Sequence, residues 1–128
     1  MGMYTELIFG ASLKEDTPKQ VINALKYMGG EIKEKPFDFP LPNGRCECLF
    51  NMASYYFAIS EPLFKMWYDE IGKEWRVSSR SNIKDYNDEI KTFLEWIKPF
   101  ISSGSGTKEM YAIVIYEESE EPTIYYLN

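Results

Sequence analysis

The sequence predicts an α+β fold: a single, mostly antiparallel sheet with two helices packed on one face. Three observations carry this expectation: strand-like alternation near both ends of the chain, two segments of helical periodicity, and short turns that join neighbouring strands into hairpins. A length of 128 residues is ordinary for one core, so residues 1–128 are assigned to a single domain.

Thr5 to Leu13 alternates, with Leu7, Phe9, Ala11 and Leu13 on one face, and is read as the first strand despite Gly10. A helix follows, with Thr17 as N-cap, Pro18 at the first helical position and Gln20 completing a capping box. Val21, Ile22, Leu25 and Met28 form its apolar stripe, and Gly29-Gly30 ends it. Pro36, Pro40 and Pro42, interleaved with Phe37, Phe39 and Leu41, suit neither helix nor central strand and predict an extended loop.

Asn43-Gly44 is expected to turn the chain into a strand over Arg45 to Met52, with Cys46, Cys48 and Phe50 facing one way. Tyr55 to Ile59 is a further candidate strand. Leu63 to Tyr68 and Trp75 to Arg80 form a hairpin, with Gly72 supplying the permissive turn backbone. The second helix is capped by Asp85 and carries Ile90, Phe93, Leu94, Ile97 and Ile101 at helical spacing until Pro99 kinks or ends it. Met110 to Tyr116 and Thr123 to Leu127 close the chain as a second hairpin.

Composition narrows the function classes. No apolar run approaches the length of a membrane span, and Met1 to Phe9 lacks the basic and apolar regions of a secretory signal, so a cytoplasmic location is expected. The net charge of −6 opposes non-specific attraction to nucleic-acid phosphates or anionic membranes, and neither is an expected partner. Cys46 and Cys48 are too close in sequence for an unstrained disulfide and read as reduced thiols. The chain contains no histidine, which removes Ser-His and Cys-His nucleophilic machinery and most zinc hydrolases. Gly104-Ser105-Gly106 follows a helix rather than opening one and is a connection, not a phosphate loop. No catalytic residue, cofactor or metal is assigned, and the chain is read as a binding protein rather than an enzyme.

One constellation stands apart. In a strand, Trp75-Arg76-Val77-Ser78-Ser79-Arg80-Ser81-Asn82 places Arg76, Ser78 and Arg80 on one face, opposite Trp75 and Val77. Two guanidiniums with a hydroxyl between them suit a phosphate or carboxylate, while Asn82 suits ribose or base edges. Tyr55, Tyr56 and Trp67 are candidates to stack on a base, and Arg45 joins the candidate set as the remaining arginine. The competing reading pairs the arginines with surface acids and puts the aromatics in the core. Aromatic content of 16% also makes a homo-oligomeric interface plausible.

The run Met3 to Pro18 (MYTELIFGASLKEDTP), then Ser54-Tyr55-Tyr56-Phe57, then Arg80 to Tyr86 (RSNIKDY) leading into Phe93 to Pro99 (FLEWIKP), resembles a family of small uncharacterised proteins of phages and bacterial mobile elements. The resemblance covers nearly the whole chain and brings no catalytic motif with it. What it implies is a counter-defence role in the host bacterial cytoplasm: binding and sequestering a nucleotide-derived immune signal, cyclic ADP-ribose-like or a cyclic dinucleotide. The alternative is an acidic inhibitor whose Glu117 to Glu121 turn binds a basic host defence or nucleic-acid-binding protein.

Overall fold

A computed structural model describes residues 4–54, 58–104 and 109–127. Among these residues, five strands and two α-helices follow one another in the order β1 (Thr5–Ser12), α1 (Lys19–Met28), β2 (Leu63–Asp69), β3 (Glu74–Ile83), α2 (Glu89–Ile97), β4 (Met110–Tyr116) and β5 (Thr123–Tyr126). The sheet order is β2-β3-β1-β4-β5, and every neighbouring pair is antiparallel. This is the predicted α+β architecture. The first strand in sequence is central because the β2–β3 hairpin and the β4–β5 hairpin add to its opposite edges. Among the described residues, no helix is long and apolar enough to cross a membrane.

Alternation sends Leu7 and Phe9 from β1, Val77 from β3, Met66 from β2 and Ala112 from β4 to one face, where they meet Val21, Leu25 and Met28 of α1 and Ile90, Phe93, Leu94 and Ile97 of α2. Phe93 sets its ring edge-on to Phe9 and Phe50, each at 5.1 Å. Gly29 ends α1 against the Phe64 ring, where a Cβ would fall 2.1 Å from the nearest ring carbon, so no larger residue fits without displacing that ring.

Several local expectations need correction. Thr17 does not cap α1: its hydroxyl bonds back to the Lys14 carbonyl, Gln20 bonds the Asp38 carbonyl, and Pro18 occupies the cap position. The expected strand over Arg45 to Met52 is instead a 3-10 turn, Arg45–Cys48. Gly44 enters it at φ +100°, and the Glu47 carboxylate accepts the Gly44 N–H at 3.0 Å, closing the turn locally. Leu49 and Phe50 are then both buried, which a strand with one covered face cannot do. Cys46 is buried and Cys48 exposed rather than aligned, both thiols are free, and burial pushes the Cys46 thiol up to about 11.

The second helix starts later than its periodicity suggests, with Asp88 at the cap position and left-handed, although Asp85 still accepts the Ile90 N–H at 3.2 Å. In the β2–β3 turn Lys73, not Gly72, takes the positive φ of 56°. The candidate strand Tyr55 to Ile59 reduces, in its described part, to one bridge between Ser54 and Ile59.

Candidate functional site

Among the described residues, no helix covers the sheet's second face. Register defines it row by row: Leu63 of β2, Arg80 of β3, Ile8 of β1, Ile113 of β4 and Ile124 of β5 lie directly opposite one another across all five strands. The next row toward the β2–β3 turn holds Lys65, Ser78 and Gly10, and the row beyond it Trp67, Arg76 and Ser12. Arg76, Ser78 and Arg80 therefore share this outer face, as the alternation requires.

The two guanidiniums sit in different surroundings. Arg76 donates from Nε and Nη2 to Asp69 Oδ2 at 3.2 and 2.9 Å and from Nη1 to Ser12 Oγ at 2.6 Å. Its guanidinium also lies 5.8 Å from the Trp67 ring centre. These bonds hold the Asp69 carboxyl below the usual carboxylate range, with backbone N–H groups of Gly72 and Ile71 adding to the effect. Arg76 thus forms the surface ion pair that the competing reading anticipated.

Arg80 Nε lies 3.6 Å from Oε2 of Glu6, a carboxylate with no exposed surface. The Ser54 hydroxyl reaches both Glu6 oxygens, at 2.9 and 2.8 Å, and its single proton is shared between them. Burial pushes the Glu6 carboxyl above its ordinary value, while Ser54, the Asn82 amide and Arg80 pull it back. Asn82, placed opposite Glu6 by the register, is only 1% exposed, and neither Oδ1 nor Nδ2 completes a well-formed hydrogen bond. It is a buried neighbour of Glu6 rather than a surface group awaiting a ribose.

Between these two environments lies a recess of about 460 Å³ lined by Ile8, Leu63, Phe64, Lys65, Ser78, Ser79 and Arg80. It offers two cations, a hydroxyl and apolar flanks on a face that no helix of the described residues covers. Arg45 does not belong to it: its guanidinium lies 4.9 Å from the Tyr86 ring centre, and it lines a separate recess of about 180 Å³ with Tyr4, Met52 and Ile83. Tyr55 and Tyr56 lie outside the described residues. Trp67, 44% exposed, stands on the same face with Lys65 6.0 Å from its ring centre.

A larger recess, about 550 Å³, opens at the far end of α1 beside Glu47. That carboxylate is already held by Tyr27, Lys35 and the Gly44 N–H, at 2.9, 3.2 and 3.0 Å, and an acid in the lining disfavours an anion. Sequence reading missed Lys65, Leu63, Ile8 and Glu6. The signal for Lys65 was present, since its strand alternates with Leu63 and Trp67 and the hairpin turn fixes which residues of β3 stand opposite. Glu6 carried no such signal, because its burial depends on Ser54, 48 residues away. Comparisons with protein-family models, curated proteins and solved structures found no match to this chain.

Proposed function

We propose that this chain binds an anionic, nucleotide-derived small molecule on the outer face of its sheet and holds it without chemical change, as a sequestering protein in phage counter-defence. The observation that carries the reading is the meeting of Arg80, Lys65 and the Ser78 hydroxyl around one recess of about 460 Å³. A guanidinium gives a planar, charge-assisted fork for phosphate oxygens, the ammonium adds a second charge, and the hydroxyl donates between them. Such attraction has to be local, because the chain as a whole carries a net charge of −6.

Titration calorimetry with cyclic ADP-ribose and cyclic dinucleotides tests the reading, and light scattering on the same samples reads the expected homo-oligomer. Arg80→Ala is expected to weaken binding roughly ten- to hundredfold, the loss of about 1.5–3 kcal/mol of charge-assisted bonding. Arg80→Lys should fall between alanine and wild type, since it keeps the charge but not the fork. Recovering the nucleotide unaltered by mass after denaturation separates holding from turnover. If none of these compounds binds more tightly than micromolar, the reading fails.

The alternative, an acidic inhibitor of a basic protein, draws on the β4–β5 turn, where residues 117–122 are all exposed. Glu117 is partly committed there, since its carboxylate accepts the Tyr4 N–H at 2.8 Å. Capture of a stoichiometric host protein that survives Arg80→Ala and is lost on neutralising Glu118, Glu120 and Glu121 favours that alternative.

A further inference from the structure

The recess around Arg80 does not end at β1. A second recess of about 210 Å³ is lined by Ile8, Gly10, Ser78, Met110 and Ile113 among others. It shares Ile8 and Ser78 with the first. Together they form one trough across the outer face, cationic over β2 and β3 and apolar over β1 and β4. At its middle stand two small residues of the face, Gly10 and Ser78, directly opposite each other. Neighbouring rows are about 6.7 Å away along the strands. On one side they raise Arg80 and Ile8, on the other Arg76 and Ser12.

Gly10 is the informative residue. It is exposed, and its backbone is extended within β1, so nothing in its conformation calls for glycine. A Cβ there would meet only the Val77 carbonyl, at 3.9 Å, and packing does not call for glycine either. What a side chain at this position would fill is the trough itself. The far end is Met110, 54% exposed, a flexible and polarisable side chain suited to lie against an aromatic ring. Trp67 is the less suitable stacking partner, because Arg76 and Lys65 both already lie near its ring.

We propose that the trough over Gly10 seats a planar ring of the ligand, a nucleobase or similar heterocycle, lying on the bare β1 backbone between Ile8, Ile113 and Met110 while the phosphate sits at Arg80 and Lys65. This rests on the preceding reading of Arg80 and Lys65 as the anion site, and it defines the ligand class more narrowly: a phosphate joined to an aromatic ring, rather than any small anion. Specificity for the ring then comes from an apolar floor with no side chain, and an added β-carbon is its sharpest probe.

The test compares cyclic ADP-ribose and cyclic di-AMP, which carry rings, with inorganic pyrophosphate, which does not, against wild type, Gly10→Val and Met110→Asp. Valine is at home in a strand, and Met110 is exposed, so both variants are expected to fold, as circular dichroism will check. The expected result is at least a roughly tenfold loss of affinity for the ring-bearing compounds in both variants, with pyrophosphate changed less than about twofold. If Gly10→Val and Met110→Asp bind the ring-bearing compounds as wild type does while Arg80→Ala does not, the ring seat is overturned and the anion site stands. Equal losses for pyrophosphate and the ring compounds also overturn it, because the substitutions would then act on the phosphate. If wild type binds none of the three probes, the anion site falls and the ring seat with it.

Discussion

The two faces of this sheet are built from the same strands by the same alternation, yet they are used in opposite ways. On the inner face Leu7, Phe9 and Val77 belong to the core that both helices help to build and are at most 3% exposed. On the outer face the apolar residues of one row, Leu63, Ile8, Ile113 and Ile124, have no helix over them among the described residues, and Leu63 and Ile124 are 43% and 42% exposed. Polarity does not separate the faces either, because Ser79 and Ser81 point into the core while Glu6 is buried on the outer side. Alternation says which residues share a face. What covers that face is decided by where the helices and the 45–54 segment lie.

The strongest way to break the comparison is to truncate one apolar side chain on each face. Phe93→Ala removes a ring packed between Phe9 and Phe50 and is expected to cost about 3–5 kcal/mol, the sum of lost transfer energy and the cavity left behind. Ile124→Thr on the outer row should cost below about 0.5 kcal/mol, as surface changes do. Denaturant midpoints at matched slope measure both. Comparable losses would mean that the outer row is covered in solution, by another copy or by residues outside the described set.

A smaller effect is expected at Glu6, where the outer face is buried. Above its raised pKa, Glu6 is a desolvated charge inside the folded chain, and folding bears that cost. Between the unfolded and folded values the folded state binds the extra proton, so stability from this group rises as pH falls through that window and is lower above it. Ser54→Ala strips the carboxylate of its hydroxyl donor and should destabilise by about 1–3 kcal/mol near neutrality, with the deficit shrinking in mild acid. Glu6→Gln should abolish the acid-side gain. Melting temperatures across the mildly acidic range decide it, and a Glu6→Gln profile parallel to wild type would show that Glu6 does not titrate there.

Much of this was legible in the sequence, for a physical reason. Both helices and both hairpins are written in local periodicity, and strand parity alone places Arg76, Ser78 and Arg80 together. The failures fall where short-range hydrogen bonds compete with periodicity. Cys46, Cys48 and Phe50 alternate as a strand would, but Gly44 and Glu47 close a 3-10 turn over the same residues. Thr17 shows the same competition at the start of α1. Beyond the reach of local reading were the distant partners: Ser54 on Glu6, Ser81 on the Leu49 carbonyl, and the segment that buries Asn82.

The smallest expected effect sharpens the contrast between the two arginines. Asp69 faces Arg76 as Glu6 faces Arg80, but their carboxyl values move in opposite directions, Asp69 down through the guanidinium's hydrogen bonds and Glu6 up through burial. A depressed folded value contributes stability above the unfolded value, and that contribution is lost as pH falls through the folded one, the reverse of Glu6. The Arg76 side chain is 38% exposed, so solvent and salt screen the pair. Asp69→Asn should therefore move the melting temperature only slightly near neutrality, soften the loss of stability in acid, and become indistinguishable from wild type at high ionic strength. Pyrophosphate affinity should not fall, because the substitution leaves Arg80 and Lys65 in place and releases Arg76 from its acid. A drop as large as that of Arg80→Ala would instead make the Asp69–Arg76 pair part of the anion site, with Arg76 reaching the ligand from beyond the recess lining rather than only bracing the hairpin.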